Sequence, residues 1–411
     1  MHIVTFSEDL LFQQGATMKA GVPYYMTNGT CGLILDDHRR IACKDGRERA
    51  IMNIAQIKPA VDTPFDPKKD WNGRTIHMFR GGGWGDIMFL GPTVRELRRR
   101  WPKVKIHIHC GTEYIPALDG LDVLATPMPV AVSEIKRGDA AVFYEGTIEA
   151  SEEAERQHAV QLFAAKFGMK LTDLSLEWEL PEAERLKAWD QFPRSMRKRV
   201  GIQVAASSPV RTYHPQMLAS AVDLILAEGY EVFLFGRPGQ FKLNNQSPLM
   251  TDLSEKELSM RESVATMTTC DVMVTPDSSL FHVAQALGIP VVGLFGSFRA
   301  DLRVTDPSKA LIIQAQGSCA PCFFHANQQT QFPEGRPCSI AKFCTVLAAI
   351  PPAQILKGVQ MHLGIDPDAS NGGLAADPVK RNAVRLKGRS NNPSGGARNV
   401  NRRRSLAGSK K

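Results

Sequence analysis

The sequence lacks any apolar run approaching the ~18 residues of a membrane-spanning helix. Its first residues also lack the basic-then-apolar pattern of a secretory signal. The eight cysteines are spread over 411 residues, which does not suit a small disulfide-stapled scaffold. With 43% apolar and 22% charged residues, the composition is that of a soluble globular protein. We therefore expect a cytoplasmic protein with more than one domain.

A basic surface for nucleic acid is missing from most of the chain, although the net charge is +8. Residues 371–411 hold eleven Lys and Arg against one Asp, so this segment carries +10 and the remainder −2. The tail 366–411 is rich in Gly, Asn, Ser and Arg, which predicts disorder. It is either a solvated extension or a contact to nucleic acid or an anionic membrane surface, the latter placing the protein at the membrane periphery.

The most informative stretch of the chain is 271–298. Short β-branched runs at Val272–Thr275 and Val291–Leu294 predict two buried parallel strands. The residues between them suit a crossover helix from about Ser279 to Leu287. This region is therefore predicted to be a βαβ unit.

The turn before that helix contains Asp277, Ser278 and Ser279. Small hydroxyl residues leave the first backbone N–H groups of the helix free to face an anion, which the helix dipole favours. His282 follows within one turn and is either a half-buried, satisfied histidine or a donor to a phosphate oxygen.

A second glycine-rich turn lies in 75–102. A predicted strand, Thr75–Phe79, runs into Gly82, Gly83 and Gly85, which allow close backbone approach or positive φ. One helix is predicted to follow and to end before Pro102. Its apolar face is expected to contain Ile87, Leu90, Val94 and Leu97.

These two stretches resemble glycosyltransferase family 9, the lipopolysaccharide heptosyltransferases. The later stretch has the pattern D-S-S-x-x-H-x-A-x-A-L-G-x-P-x-x-x-L-F-G, similar to the nucleotide-sugar signature of that family. The earlier one has G-x-G-D-I followed by R-x-L-R and a proline, similar to its N-terminal loop. The resemblance covers roughly 75–365 and implies a GT-B-like α/β fold, with two Rossmann-like domains facing a cleft.

The domain organisation follows from this resemblance. We expect a small β module and linker at 1–70, an acceptor-binding Rossmann-like domain at 71–185, a nucleotide-sugar domain at 199–365 and the disordered tail at 366–411. A strand is predicted at Cys31–Leu35 in the first module, which carries no recognisable chemistry.

Asp86 is the candidate catalytic residue. It can cap a helix N-terminus, or its carboxylate can take a proton from an acceptor hydroxyl. The resemblance implies the second role, because the matching aspartate of the family is the proposed general base. By contrast, we expect the acidic residues Glu149, Glu152, Glu153 and Glu155 to be a solvated start of a helix extending to Phe167.

The resemblance also implies the donor site. The Arg211 guanidinium is suited to phosphate, and strand-end groups lie where ligands of open α/β sheets bind. Asp277 is expected to shape the donor pocket rather than contact the diphosphate, because like charges repel. The altered stretch Gln240–Leu253 leaves the contacts to the nucleotide base open. The predicted diphosphate-binding residues are Arg211, Ser278, Ser279, His282, Gly296 and Ser297.

Four late cysteines, Cys319, Cys322, Cys338 and Cys344, form a cluster that begins with a CxxC pair. They are either ligands of a small structural zinc site, or reduced thiols, or a disulfide. Similar cysteines occur in many members of the family that the chain resembles.

The function implied is metal-independent, inverting transfer of a sugar, heptose by resemblance, from a nucleotide-diphosphate sugar to an acceptor hydroxyl. No cofactor is required, and a lipopolysaccharide-type glycan or glycolipid is the expected acceptor. A protein glycan or a modified nucleic-acid base remains open as acceptor. Two different functions also stay open. One is a non-catalytic nucleotide-sugar or nucleic-acid binding protein, which would not need Asp86, and the other is a nucleotide-sugar epimerase, whose characteristic carboxylates are not evident.

Overall fold

The fold is taken from a computed structural model that describes residues 1–7, 9–11, 17–27, 40–42, 48–50, 55–149, 151–241, 247–323, 335 and 337–365. The predicted strand Cys31–Leu35 and the basic tail lie outside the described residues. Within those residues no helix combines the length and apolar character needed to cross a bilayer.

The N-terminal region is a layer of short antiparallel strands. Its sheet has the order β11-β4-β1-β7, so it includes one strand contributed from further along the chain. Two short hairpins, β2-β3 and β5-β6, accompany it. The strands are β1 His2–Phe6, β2 Leu10–Leu11, β3 Thr17–Met18, β4 Pro23–Met26, β5 Arg40–Ala42, β6 Glu48–Ala50, β7 Ala55–Pro59 and β11 Val130–Ala131.

A four-stranded parallel sheet follows, in the order β10-β9-β8-β12. Its strands are β8 Thr75–Phe79, β9 Lys105–Cys110, β10 Leu124–Pro127 and β12 Ala140–Phe143. The associated α-helices are α1 Trp84–Met88, α2 Gly91–Arg100, α3 Ala159–Ala165 and α4 Glu182–Gln191, with 3-10 turns at Thr112–Leu118, Val132–Glu134 and Glu152–Glu155.

The two faces of this sheet are covered differently. Ile76, Met78 and Val142 point to one side and join a core with the helices. Phe79 and Phe143 point to the other side, where Tyr25 of β4 packs against both rings at centroid distances of 5.0 and 5.3 Å. Alternation of side chains along a strand produces this division. The N-terminal β layer therefore lies on the face opposite these helices.

The third part is a six-stranded parallel sheet in the order β15-β14-β13-β16-β17-β18. Its strands are β13 Arg199–Gln203, β14 Glu231–Phe235, β15 Met250–Asp252, β16 Val272–Pro276, β17 Val291–Phe295 and β18 Ala310–Gln314. The helices are α5 Pro215–Ala227, α6 Met260–Met267, α7 Ser279–Ala286, α8 Pro337–Ala341, α9 Thr345–Ala348 and α10 Pro352–His362, with 3-10 turns at Pro209–Arg211, Ser254–Lys256 and Ala300–Leu302.

The predicted βαβ unit is confirmed. β16 and β17 pair in parallel, and α7 connects them. All five residues of each strand are buried, as expected for a central strand covered on both faces. One apolar core extends from the first parallel sheet to this unit, because Ile87 and Phe281 belong to the same buried cluster.

Two helix predictions were wrong in their boundaries. The single helix expected after the glycine turn is two helices, α1 and α2, and Pro92 occupies the first turn of the second. A proline there lacks only an N–H that the first turn leaves free, so it starts a helix readily. The helix expected over 152–167 is a 3-10 turn, Glu152–Glu155, followed by α3, which begins after His158.

Candidate functional site

The glycine turn after β8 brings an arginine and an aspartate into direct contact. Arg80 follows β8 and its side chain is 2% exposed, while Asp86 is the third residue of α1. Arg80 Nη2 donates to Asp86 Oδ2 at 2.7 Å. A Cβ on Gly82 would lie 2.7 Å from both Arg80 Nε and Asp86 Oδ2. The turn therefore needs glycine for close approach, and Gly82, Gly83 and Gly85 do not adopt positive φ.

Asp86 does not cap the N-terminus of α1. The N-cap of α1 is Gly83, and no side chain caps that end. Burial acts to raise the pKa of Asp86, but the Arg80 charge and hydrogen bond, with Arg303 and Arg211 further off, hold this pKa below its usual range. The carboxylate is therefore ionised at neutral pH.

Glu149 completes this ion-pair group. It is exposed, as expected, but it pairs with Arg80 and lies before the 3-10 turn Glu152–Glu155 rather than starting a helix. Arg80 Nη2 donates to Glu149 Oε1 at 2.5 Å, and Arg80 Nη1 donates to the Tyr144 carbonyl at 2.9 Å. A buried guanidinium needs such partners, because an unpaired buried charge is costly. Arg80 thereby fixes the position of Asp86.

The turn predicted to bind an anion lies at the carboxyl end of β16. Ser278 is the N-cap of α7 in extended backbone, and its side chain makes no capping hydrogen bond. Instead its hydroxyl hydrogen-bonds to Gln203 Oε1 of the neighbouring strand β13. Ser279 begins the helix and is partly exposed. The first backbone N–H groups of α7 therefore receive no hydrogen bond from the Ser278 side chain.

His282 links this turn to the glycine turn of the other sheet. It is 4% exposed, and its Cδ2 would lie 2.7 Å from a Cβ on Gly85. Phe89 packs edge-on against its ring at 4.6 Å. Burial lowers the pKa of His282 to about 4, although the Asp277 and Asp86 charges act in the opposite direction. The imidazole is neutral at pH 7, and its Nδ1 is buried without a hydrogen-bond partner.

Arg211 and Asp277 lie together beside this histidine. Arg211 Nη1 donates to the Asp277 carbonyl at 2.9 Å, and Arg211 Nη2 donates to Ser207 Oγ at 2.9 Å. The Asp277 carboxylate is 3.9 Å from Arg211 Nη1 and 3.8 Å from His282 Nε2. Asp277 therefore sits between two groups predicted to bind the diphosphate.

The structure adds two groups that sequence patterns did not single out. Arg303, between β17 and β18, is 4% exposed. Burial lowers its pKa, while the charges of Asp277 and Asp86 oppose that shift. His158 Nε2 lies 3.1 Å from the Val304 carbonyl, and burial lowers its pKa to about 4. Neither Arg303 nor His158 belongs to a glycine-rich motif. Only the tertiary fold brings these two residues close to His282.

The other predicted donor residues lie near the cysteines. A cavity of about 20 Å³ is lined by Ser297 together with the four late cysteines, Cys319, Cys322, Cys338 and Cys344. Gly296 faces Leu347 and Cys344. The buried Ser297 hydroxyl has no hydrogen-bond partner, and none of the four thiols is in a disulfide.

A profile of glycosyltransferase family 9 (heptosyltransferase) matches residues 122–331. The chain belongs to glycosyltransferase family 9. This confirms the family that the two motifs indicated, and residues 122–331 include the turn that holds Ser278 and His282.

Individual members of the family are distant relatives. Lipopolysaccharide heptosyltransferase 2 of Escherichia coli K12 is 27% identical over 146 residues, 33% of this chain and 42% of that protein. Lipooligosaccharide heptosyltransferase 2 of Haemophilus influenzae is 25% identical over 144 residues, 32% of this chain and 42% of that protein. The alignments thus span about two-fifths of these relatives.

Solved structures share the fold over a greater length. The E. coli ADP-heptose heptosyltransferase II matches with a TM-score of 0.53 at 19% identity, over 71% of this chain and 98% of that one. TibC, a dodecameric iron-containing heptosyltransferase solved with ADP-D-β-D-heptose, matches with a TM-score of 0.53 at 14% identity, over 88% and 91%. The predicted GT-B-type α/β architecture is confirmed. The match to TibC covers 17% more of this chain than the match to the E. coli enzyme does, which corresponds to about 70 residues.

Proposed function

We propose that this family 9 member transfers heptose from a nucleotide-diphosphate heptose to an acceptor hydroxyl in one inverting displacement. The observation that carries the proposal is the position of the ionised Asp86 carboxylate. It projects from one parallel sheet at the point where α1 packs against His282 and the anion-binding turn of the other sheet. A base and a leaving-group site are then within one small region, as direct displacement requires.

Asp86 acts as the general base. The acceptor oxygen forms a bond to the anomeric carbon, and its proton passes to the Asp86 carboxylate. The bond from that carbon to the phosphate oxygen breaks, and its electron pair leaves with the nucleoside diphosphate. A carboxylate with a lowered pKa is a weak base. It is adequate here because the acceptor proton becomes acidic as the new bond forms.

The departing diphosphate needs the larger electrostatic stabilisation, because negative charge grows on it as the bond breaks. We assign this task to the start of α7 with Ser278 and Ser279, to Arg211, and to the unpaired Nδ1 of His282. Arg303 adds a buried positive charge. We propose that these groups replace a divalent cation at the diphosphate, which makes transfer metal-independent. Gly296 and Ser297, which follow β17, remain predicted contacts to the diphosphate.

Asp277 is proposed to bind hydroxyl groups of the donor sugar and to orient Arg211. Its own backbone carbonyl already accepts from Arg211. We propose a lipopolysaccharide-type glycan or glycolipid as the acceptor, following the names of the relatives. The tail 366–411 is proposed to hold the enzyme near anionic lipid, which is a proposal from its charge alone.

A metal ion at the four cysteines is a separate, structural proposal suggested by the iron-containing TibC. The residue types suit a thiophilic ion, because all four thiols line one cavity and none is in a disulfide, but no three of these four sulfur atoms, all within the described residues, converge as the ligands of one ion would. Burial raises the pKa of Cys344, against a hydrogen bond that Leu347 N–H donates to its sulfur. A bound ion would deprotonate such thiols and tie Cys319-Cys322 to the start of α9. Metal analysis of purified protein against Cys319→Ser tests this.

The test of function is calorimetric titration of a panel of nucleotide-diphosphate sugars without added metal, followed by a transfer assay. ADP-heptose should bind, and a truncated lipopolysaccharide-core acceptor should gain one heptose of inverted anomeric configuration. Binding without transfer to any glycan, protein or nucleic-acid acceptor would support a non-catalytic binding protein instead. No binding of any donor would overturn the proposal.

A further inference from the structure

Three histidines lie side by side on the first parallel sheet, and none of them belongs to the site proposed above. His77 is on β8, and His107 and His109 are on β9. The strand register places His77 beside His107, and His109 follows two residues later on the same face. This is the face that carries Phe79 and the N-terminal β layer.

The imidazoles converge on one point. Each ring offers a nitrogen, and the three nitrogens all lie within 4.8 Å of one another. His77 Nδ1 and His109 Nε2 are 2.9 Å apart. Two nitrogens bound to one tetrahedral Zn²⁺ would be about 3.3 Å apart, from bond lengths of about 2.0–2.1 Å. Among the described residues, no other group of three His, Cys, Asp or Glu side chains converges this closely.

Two of the three rings have a polar neighbour of the kind that orients metal ligands. His77 Nε2 lies 3.5 Å from Asp139 Oδ2, and His107 Nε2 lies 2.5 Å from Thr126 Oγ1. A carboxylate or hydroxyl on the second nitrogen fixes the ring and leaves the first nitrogen for an ion. His109 Nδ1 is buried without a hydrogen-bond partner.

The charge state of the cluster also suits a cation. Burial lowers the pKa of His77, His107 and His109, in the last case to about 2. All three rings are therefore neutral at pH 7, which is the form that binds metals. The Glu134 charge acts on His77 and His107 in the opposite direction and adds negative potential at the same place.

A cavity of about 260 Å³ lies beside the cluster. It is lined by His107, His109 and Thr126 from the parallel sheet and by Tyr24 and Glu134 from elements beside it. Tyr24 lies on β4, so the cavity is at the junction between the N-terminal β layer and the parallel sheet. An ion bound there has space for a water molecule or for Glu134 in its fourth position.

We propose that His77, His107 and His109 bind a divalent first-row transition-metal ion such as Zn²⁺, with the fourth coordination position facing the cavity of Tyr24 and Glu134. Imidazole is a preferred ligand for such ions. With Glu134, which follows β11 of the N-terminal sheet, as the fourth ligand, the ion would link the N-terminal β layer to the parallel sheet. It is independent of the proposed glycosyl transfer and of the four cysteines.

Crystals of the unmodified chain grown with Co²⁺ locate the site without any substitution. An anomalous difference map at the cobalt edge should have a peak within bonding distance of the three imidazoles. A map with no peak there overturns the proposal, whether or not a peak is found at the four cysteines.

Zn²⁺ titration by equilibrium dialysis provides the second test, in a Cys319→Ser/Cys322→Ser background that removes thiol ligands. We expect one tightly bound Zn²⁺ per chain and its loss in His109→Gln. Asp139→Asn should weaken binding by about 10–100-fold, as loss of an orienting carboxylate does. His214→Gln is the matched control and should bind Zn²⁺ normally. Equal binding by His109→Gln and His214→Gln contradicts the assignment.

Discussion

The two parallel sheets bring polar groups to the proposed site in different states. On the first sheet Arg80, Asp86 and Glu149 are joined by short ion pairs, although Arg80 Nε is buried without a hydrogen-bond partner. On the second sheet Thr275 Oγ1 and His282 Nδ1 are buried without hydrogen-bond partners. Buried polar groups normally have partners. We infer that the proposed base is positioned before any substrate arrives, whereas the proposed anion site is completed by its ligand.

The coverings of the two sheets differ as well. The second sheet has helices on both faces, since Val200 and Val292 pack into one apolar cluster and Met273 and Val291 into another. The first sheet has helices on one face and the N-terminal β layer on the other. Histidines occupy that second face, where strands of an α/β sheet normally carry aliphatic residues. The β layer therefore covers a more polar face than the helices do.

The largest effect should follow the loss of the proposed base, Asp86. Asp86→Asn keeps the shape of the side chain but cannot accept the acceptor proton, so single-turnover transfer should fall by about 10²–10⁴-fold. Donor affinity measured by calorimetry should change little, because the anion site belongs to the other sheet. Glu149→Gln is the control, since it leaves the pair of Arg80 and Asp86 in place and should lose far less. Near-normal transfer by Asp86→Asn would remove Asp86 from the mechanism.

Removing Arg80 tests whether its ion pairs with Asp86 and Glu149 hold these side chains in place before a substrate binds. Arg80→Met leaves Asp86 and Glu149 without their shared partner and should lower the free energy of unfolding by about 3–5 kcal/mol. Urea denaturation measures this. Arg185→Gln breaks an exposed pair with Glu182 and should have no measurable effect. Similar small losses in both variants would show that the buried group contributes no rigidity.

The pH dependence of stability reports on the second sheet. His282 has a pKa of about 4 in the fold against 6.5 ordinarily, so the unfolded chain binds more protons between these values. Stability therefore falls as pH drops from about 6.5 to 4, and this one group contributes up to about 3 kcal/mol. The lowered pKa of Asp86 acts only below its ordinary value of 3.8. Titration of Asp86 therefore does not contribute to the change in stability between pH 6.5 and 4.

His282→Gln should flatten the unfolding free energy between pH 6.5 and 4, because the titrating group is gone. His158 has a similar pKa of about 4, so part of the slope should remain. Denaturant unfolding at several pH values gives the comparison, with His214→Gln as the control. An unchanged slope in His282→Gln would mean that this imidazole is not held neutral by the fold.

The smallest effect tests the contact between the sheets. A Cβ on Gly85 would meet the His282 ring at 2.7 Å, so Gly85→Ala should destabilise by about 1–3 kcal/mol and weaken donor binding. Gly83→Ala is the matched control in the same turn, because nothing lies within 4 Å of its Cβ. Thermal unfolding and calorimetry compare the two. Equal behaviour of both variants would contradict direct packing of α1 on α7.

Local pattern was sufficient to predict the βαβ unit. The apolar runs bounded by Pro276 and Gly288 gave two strands and a helix close to their observed bounds, because a buried parallel strand needs only such a run. The break between α1 and α2 was missed, although Pro92 signals it, because the apolar residues on both sides keep helical spacing.

The partners of the site could not be predicted in the same way. Arg80 and Glu149 are 69 residues apart in sequence, and His158 reaches Val304 across 146 residues. Such contacts depend on which strand ends meet, and no local periodicity records that. His107 and His109 alternate visibly in the sequence, yet only the register of β8 against β9 brings His77 beside them.

The most direct test of the account is a crystal structure of Asp86→Asn with an intact nucleotide-diphosphate heptose. We predict that the diphosphate lies at the start of α7 against Ser278, Ser279 and Arg211, with the anomeric carbon facing residue 86. A donor bound with its diphosphate elsewhere, or with its anomeric carbon turned away from residue 86, would contradict the shared site.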